Sequence, residues 1–315
     1  MTREAVRIPA LAALVGCATW AAAAPAKRGT FLPPFVREGA LVKLGEHTWV
    51  IPDGATPRVP NVGIVAGSRA TLVIDPGLGR RNGEVVRREA ATISRNTEVY
   101  VASTHYHVEH TTGLAAFPPP ARYVNSRVQE AEFVEGAAAQ AKAFGARSAL
   151  DAELVSDVAP RPADVPFDRD HLLDLGGVRV RLLVVGPTHT RGDTVFFVEG
   201  DGVLFAGDVV MNNSFVAAME VSSMKAWLGA FDVLEAWRPR TIVPAHGEVG
   251  TGALIGVNRA FMLAIQARAR ELKAQGRTRD EVAATVQQEM QARHPAFARI
   301  NGAGAAARAA FAEAP

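Results

Sequence analysis

Glu98-Val99-Tyr100-Val101-Ala102-Ser103-Thr104-His105-Tyr106-His107-Val108-Glu109-His110 runs from a strand-like apolar stretch into three imidazoles and a carboxylate within six residues. Neutral imidazole and carboxylate are the side chains that hold zinc or iron in an accessible site. Residues two apart on a loop leaving a strand can turn toward one ion. A polar, solvated loop has no need of such a density of ligands, so the stretch points to metal-dependent chemistry at a strand end.

Three later segments repeat the arrangement. Leu182-Leu183-Val184-Val185-Gly186-Pro187-Thr188 runs into His189, Val203-Leu204-Phe205-Ala206-Gly207 into Asp208, and Thr241-Ile242-Val243-Pro244-Ala245 into His246. Five of the eight histidines fall in this constellation. Ligands delivered by the same end of several strands can meet at one edge of a layered fold.

Together these motifs resemble the metallo-β-lactamase fold superfamily, whose ordered pattern is HxHxDH, a histidine, a bridging aspartate and a final histidine. The likeness runs from about Leu41 to about His246 and includes Val73-Ile74-Asp75-Pro76-Gly77 and His189-Thr190-Arg191-Gly192-Asp193. It implies an α/β (α+β) fold, a four-layer αββα sandwich over residues 35–250, with a C-terminal helical segment, 251–315, packed on the same domain. Carried over by position, His105, His107 and His189 hold one metal, and His110 and His246 hold a second with Asp208 bridging. Glu109 stands where the family has aspartate. It joins the second set, and Glu109 and Asp208 are the implied catalytic carboxylates. The extra methylene lets the carboxylate overshoot, displace the metal or meet the attacking water differently. The implied cofactor is Zn2+, two ions per chain, with Fe2+ as the alternative.

Composition bounds the reading further. A chain of 315 residues with 48% apolar content can bury a sizeable core. The net charge is +2, and no basic run alternates with aromatics as a nucleic-acid groove requires. The expected partner is a small molecule, not nucleic acid, and the sequence leaves the oligomeric state open. At the N-terminus, Arg3 and Arg7 precede an apolar stretch from Ile8 to Ala24, which reads as an export signal over residues 1–26. Leu14-Val15-Gly16-Cys17 resembles a bacterial lipobox, so the mature protein is expected to be periplasmic or a membrane-anchored lipoprotein in a Gram-negative-type bacterium. Cys17 is either lipidated, the only expected membrane link, or lost with the signal core. It is the only cysteine, leaving the folded part without disulfide or thiolate ligand.

Along the chain, Val42–Ile51, Asn61–Ala66, Ala70–Ile74, Glu98–Ser103, Tyr123-Val124, Val178–Val185, Thr194–Val198, Val203–Phe205 and Thr241–Pro244 read as strands. Helical patterns cover Arg81–Ile93, Val128 to about Phe144, Ser222–Trp237, Ala253–Gln275 and Asp280–Ala292, with Thr278 as an N-cap three residues before Glu281. The Pro- and Asp-bearing stretch Ala152–Asp170 reads as an ordered loop or lid bordering the cleft, with Met211–Val221 a second specificity loop. The Ala-rich tail after Asn301 is expected to pack loosely or fray. Trp227, Leu228, Phe231, Leu234 and Trp237 recur at helical spacing and read as core. Tyr106 reads as packing, and His47, His171 and His294 as residues without a catalytic role. Asp75 and Asp193 each have two readings: a tight turn, or a partner that orients a ligand.

Metals so held acidify a bound water and polarise a carbonyl or phosphoryl oxygen. The functional reading is therefore a metallo-hydrolase of an ester, lactone, amide or related small substrate. Gly-x-Ser-x-Gly and P-loop motifs are missing from the sequence. β-Lactamases of the superfamily commonly carry Cys or Ser where Asp208 stands, which counts against a dedicated antibiotic hydrolase. Two alternatives stay open. One is a mononuclear iron enzyme similar to persulfide dioxygenases, and the other a periplasmic accessory metal-binding protein of a quinoprotein or sulfur oxidation system.

Overall fold

The computed structural model describes residues 32–314. The expected leader, with Cys17, lies outside them.

Two blocks of short β-branched segments, punctuated by Gly, Pro and Asp, form two sheets. The first comprises β1 (Val42–Lys43), β2 (Thr48–Ile51), β3 (Val62–Ala66), β4 (Ala70–Ile74), β5 (Glu98–Ala102), β6 (Arg122–Ser126) and β7 (Val165–Phe167), ordered β1-β2-β3-β4-β5-β6-β7. The second comprises β8 (Asp170–Asp174), β9 (Arg179–Val184), β10 (Thr194–Val198), β11 (Val203–Gly207), β12 (Thr241–Pro244) and β13 (Gly250–Thr251), ordered β13-β12-β11-β10-β9-β8. Their inner faces meet in a core where Val65, Leu72 and Ala102 pack with Leu182, Phe196 and Phe205. The sheets approach so closely that a Cβ on Gly63 would come within 2.5 Å of the Phe205 ring.

Helices cover both outer faces, completing the αββα sandwich. On the first sheet lie α1 (Gly79–Ile93), the single turn α2 (Val108–Thr111), α3 (Arg127–Gly145) and α4 (Ala149–Leu154). Val86 and Ala90 of α1 pack on Ile64, Val73 and Val101. Phe144 and Leu154 bury against Leu78 and Val108 beside the metal loop. On the second sheet lie α5 (Met224–Ala236), α6 (Ala253–Ala274), α7 (Arg279–Arg293) and α8 (Asn301–Glu313). Trp227, Phe231 and Leu234 of α5 are fully buried, and the Trp227 indole donates to the Val209 carbonyl at 2.9 Å. Thr278 caps α7 reciprocally with Glu281.

The tail after Asn301 does not fray. It forms α8, whose Ala303, Ala306, Ala307 and Ala310 recur at helical spacing and are buried against α6 and α7. Small side chains let helix backbones approach closely, and that contact replaces the bulk the sequence lacks there. The stretch Ala152–Asp170 is also more regular than a loop: it ends α4, contributes β7 as an edge strand pairing with β6, and opens β8. Among the described residues, no helix is long and apolar enough to cross a membrane.

Parallel pairings bring the strand ends together. Ile74 of β4 pairs with Ala102 of β5, so Asp75 and Ser103-Thr104 leave side by side. Gly207 of β11 pairs with Pro244 of β12, and the Ala245 amide donates to the Gly207 carbonyl at 2.8 Å, which aligns Asp208 with His246. The Thr194 amide reaches the Thr104 carbonyl at 2.7 Å, tying the sheets at this edge.

Candidate metal centre

His105, His107 and His189 bring one ligand atom each to a common point, and Glu109, His110 and His246 do the same at a second; within each set the atoms lie within 4.8 Å of one another. His105 Nε2 and His189 Nε2 stand 3.0 and 3.2 Å from His107 Nδ1. Nitrogens bound to tetrahedral zinc at 2.0–2.1 Å stand about 3.3 Å apart, so the first set already has close to the required spacing. The two sets adjoin, with the His105 and His110 rings 4.2 Å apart between centroids. Asp208 stands beside the first set, with Oδ2 3.5 Å from His189 Nε2.

The outward hydrogen bonds set which nitrogen carries a lone pair. The Thr104 hydroxyl donates to Asp75 Oδ2, so it is an acceptor toward His105 Nδ1 at 3.1 Å. His110 Nδ1 faces Asp75 Oδ2 at 3.0 Å, His246 Nδ1 the Val59 carbonyl at 2.9 Å, and His189 Nδ1 the Ala217 carbonyl. Each of these four rings therefore donates from Nδ1 and turns a bare Nε2 inward, while His107 presents Nδ1. Asp75 adopts a left-handed backbone, φ 56°, which aspartate tolerates better than most residues. Its other oxygen accepts the Thr104 amide at 2.7 Å. Both the turn and the ligand-orienting readings of Asp75 thus describe one residue. Asp193 organises the His189 turn, accepting from the Thr190 amide at 2.8 Å and from the hydroxyls of Thr188 and Thr190.

Four buried polar atoms in the centre have no hydrogen-bond partner among the described residues: His107 Nε2, Glu109 Oε2, His110 Nε2 and Asp208 Oδ1. Orphans are rare in folded proteins, and three of these, Glu109 Oε2, His110 Nε2 and Asp208 Oδ1, are atoms that a bound cation would satisfy, whereas His107 Nε2 is the ring's outward nitrogen. Burial, reinforced by the neighbouring imidazoles, drives the pKa values of His105 and His107 well below the ordinary value, which keeps them neutral and ligand-competent. Burial likewise lowers His246, to about 3. Burial also disfavours a charge on His110, yet Asp75 outweighs it and raises that pKa. Glu109 is raised by burial. For Asp208 burial acts upward, but Arg299 and the surrounding imidazoles prevail and hold it far below the carboxylate range. A divalent cation with nitrogen and oxygen ligands fits this donor set.

Six of the seven ligand residues inferred from sequence fall into the two sets, Glu109 with His110 and His246 despite its added methylene, and the seventh, Asp208, joins neither set but lies 3.5 Å from His189 Nε2. Tyr106 packs edge-on to His107 and against Gly136. His47 bonds the Ala66 carbonyl, His171 stacks on Phe167, and His294 joins Phe215, Phe261 and Phe297, all away from the ligands. The expected cleft border is different: residues 157–164 line an apolar groove of about 1050 Å³ that none of the seven ligands lines, although Thr111 and Thr112, just past His110, form part of its wall.

Three contributors had no motif to announce them. Glu132 on α3 is buried and accepts from the amides of Arg191 and Gly192 at 2.8 and 2.7 Å, bracing the turn after His189. Gly207, φ 58°, carries no Cβ where one would press within 2.9 Å of Thr104, and so lets Asp208 close on the histidines. Arg299, between α7 and α8, donates from Nη1 to Asp208 Oδ2 at 3.0 Å.

A profile of the metallo-beta-lactamase superfamily matches residues 55–246. The acyl-coenzyme A thioesterase MBLAC2 of Homo sapiens is 26% identical over 229 residues, covering 65% of this chain and 77% of its own. Among solved structures, a metallo-beta-lactamase family protein from Thermus thermophilus superposes with a TM-score of 0.60 at 20% identity, covering 85% of this chain and 94% of that one. The inverting sec-alkylsulfatase Pisa1 from Pseudomonas sp. gives 0.67 at 15% identity, covering 86% of this chain and 49% of its own.

Proposed function

This chain belongs to the metallo-beta-lactamase superfamily, and on that premise we propose that it is an exported, metal-dependent hydrolase of a carboxylic ester or thioester, with two metal sites formed by His105, His107 and His189 and by Glu109, His110 and His246, and with Asp208 shared between them. The observation that carries the proposal is the convergence of two adjoining triads of potential ligand atoms, with the Nδ1 atoms of His105, His110, His189 and His246 held from outside and Glu109 Oε2 and His110 Nε2 of the second triad left without a partner among the described residues. The likeness to a thioesterase supports acyl transfer to water.

Cations bound there supply Lewis acidity, polarising an acyl oxygen and acidifying water. The chain's own residues do the rest. Asp75, the Val59 carbonyl and the Ala217 carbonyl fix His110, His246 and His189 so that the lone pairs need no reorganisation. Glu109 Oε2, buried and unpartnered, is the oxygen able to receive a proton from water at the second site. His105 and His110, with no exposed surface, close the floor of the site to bulk solvent.

The test is elemental analysis of protein purified without chelator or affinity metal, followed by assay of the metal-free and zinc-reloaded forms on 4-nitrophenyl esters, acyl thioesters, lactones and a β-lactam. About two zinc ions per chain, with ester or thioester turnover lost on chelation and restored on reloading, supports the proposal. Turnover retained by a metal-free His107→Ala variant, or a single iron per chain with no hydrolysis, overturns it.

A further inference from the structure

We propose that Arg299 is an anion anchor of the substrate site, selecting substrates that carry an oxyanionic group, a carboxylate or sulfate, close to the scissile bond. This rests on the hydrolase reading above and deepens it.

Arg299 lies beyond the segment that matches the family profile and enters the site from the turn between α7 and α8. The turn is rigidly held. The Ala298 amide donates to the Asn213 carbonyl at 3.3 Å, and the Ala298 carbonyl accepts from the Phe215 amide and the Ser214 hydroxyl at 3.1 and 3.2 Å. Phe297 packs against Phe215 and Phe261. Arg299 itself has a left-handed backbone, φ 56°, a conformation that costs free energy for a long side chain and persists where its surroundings impose it. In the first turn of α8, Gly302 sits against the Val216 carbonyl, in the same segment whose Ala217 carbonyl holds His189. The guanidinium is thus fixed relative to the ligand set.

Its engagement is incomplete in a way that suits a ligand. The guanidinium has five N–H donors in a planar fork. Only Nη1 has a hydrogen-bond acceptor among the described residues, Asp208 Oδ2, whereas Asp208 Oδ1 has none. Asp208 can therefore give Oδ1 to a metal and keep Oδ2 on Arg299. The Asp208 side chain is 2% exposed and that of Arg299 33%, so the arginine spans from the buried ligands to the open side. A fixed cation beside ligands that collect divalent cations builds up positive potential at the mouth, and the complement is an oxyanion read by the remaining fork donors.

The experiment compares zinc-loaded wild type, R299Q and R299K on two esters of similar length, neutral 4-nitrophenyl butyrate and the anionic half-ester mono-4-nitrophenyl glutarate, with calorimetric binding of glutarate and of methyl sulfate and zinc content measured alongside. The expected result is that R299Q raises KM for the half-ester at least tenfold more than for the butyrate, weakens glutarate or methyl sulfate binding by a similar factor, keeps its zinc, and is partly rescued in R299K. Whichever anion binds more tightly in an Arg299-dependent way identifies the oxyanion. Equal losses on both esters, or lost zinc with unchanged anion binding, overturns the anchor and leaves Arg299 as a prop for Asp208. Arg299-dependent anion binding without hydrolysis of any ester would sink the hydrolase reading while the anion site stood.

Discussion

Replacing Asp75 by Asn tests how the ligand set is oriented. Asparagine tolerates the left-handed backbone at this position, φ 56°, nearly as well as aspartate, so strain does not confound the result. Its amide can keep one oxygen on the Thr104 amide, but then its NH2 group faces His110 Nδ1, where Asp75 Oδ2 now accepts at 3.0 Å. Two donors cannot share that contact. His110 must move its proton to Nε2, the inward atom, and the second site loses a lone pair. Second-sphere changes of this kind weaken metal binding roughly tenfold to a hundredfold, about 1.4–2.7 kcal/mol. The metal-free protein should lose stability too, since a buried hydrogen bond to a charged group contributes about 1.5–3 kcal/mol. In the metal-free wild type, the raised His110 pKa means that its contribution is fully present below about pH 6.5 and fades as pH rises through the higher folded value. D75N should erase that component. The assay is zinc titration against a chromophoric chelator, with chemical unfolding from pH 5 to 9. Two zinc sites of wild-type affinity in D75N would refute the tautomer argument.

Glu109→Gln should leave the His105, His107 and His189 site loaded but reduce total zinc toward one per chain and lower turnover at least a hundredfold, whereas Glu109→Asp should retain the second metal; equal zinc content in E109Q and wild type would remove Glu109 from the ligand set. In metal-free protein, His105, His107 and His246 have lowered folded pKa values, the last about 3, so their neutral burial supports the fold above about pH 6.5 and is lost as pH falls toward 3. Acid unfolding should therefore begin below about pH 6.5 without metal, and an acid limb identical with and without zinc would contradict this. Glu132→Ala strips acceptors from two backbone amides, a loss of about 2–5 kcal/mol that should lower Tm by about 4 °C or more, while exposed Glu135→Ala stays within about 0.5 kcal/mol. Scanning calorimetry that ranks the two alike would show that Glu132 does not brace the His189 turn.

The αββα layering was legible because its signals are local: period-two apolar runs, turn residues between them, and ligands directly after strand ends. His105 through His110, His189, Asp208 and His246 each follow such a run, and parallel pairing of β4 with β5 and of β11 with β12 turns sequence position into proximity. Asp75 carried a signal of the same kind, a strand ending in Asp-Pro-Gly. The edge strand β7 did not, because Pro166 within it reads as loop and its pairing with β6, Val165 on Val124, joins residues separated by the whole of α3 and α4.

The packed tail and the unannounced Arg299 share one cause. Helix α8 buries alanines, whose contribution is close backbone approach and not apolar area, so a reading tuned to bulky side chains sees only low complexity. Once α8 is docked, its N-terminal turn lies against the 213–217 segment and the residues just before it are fixed beside His189 and Asp208. The chain has 34 lysines and arginines, and nothing in the sequence around Arg299 distinguishes it from the rest. Its role comes from a helix whose own packing is invisible to hydropathy. The C-terminal segment therefore does two things at once: it covers the second sheet, and it adds to a centre built of imidazoles and carboxylates a cation that reaches Asp208 from outside the strand ends.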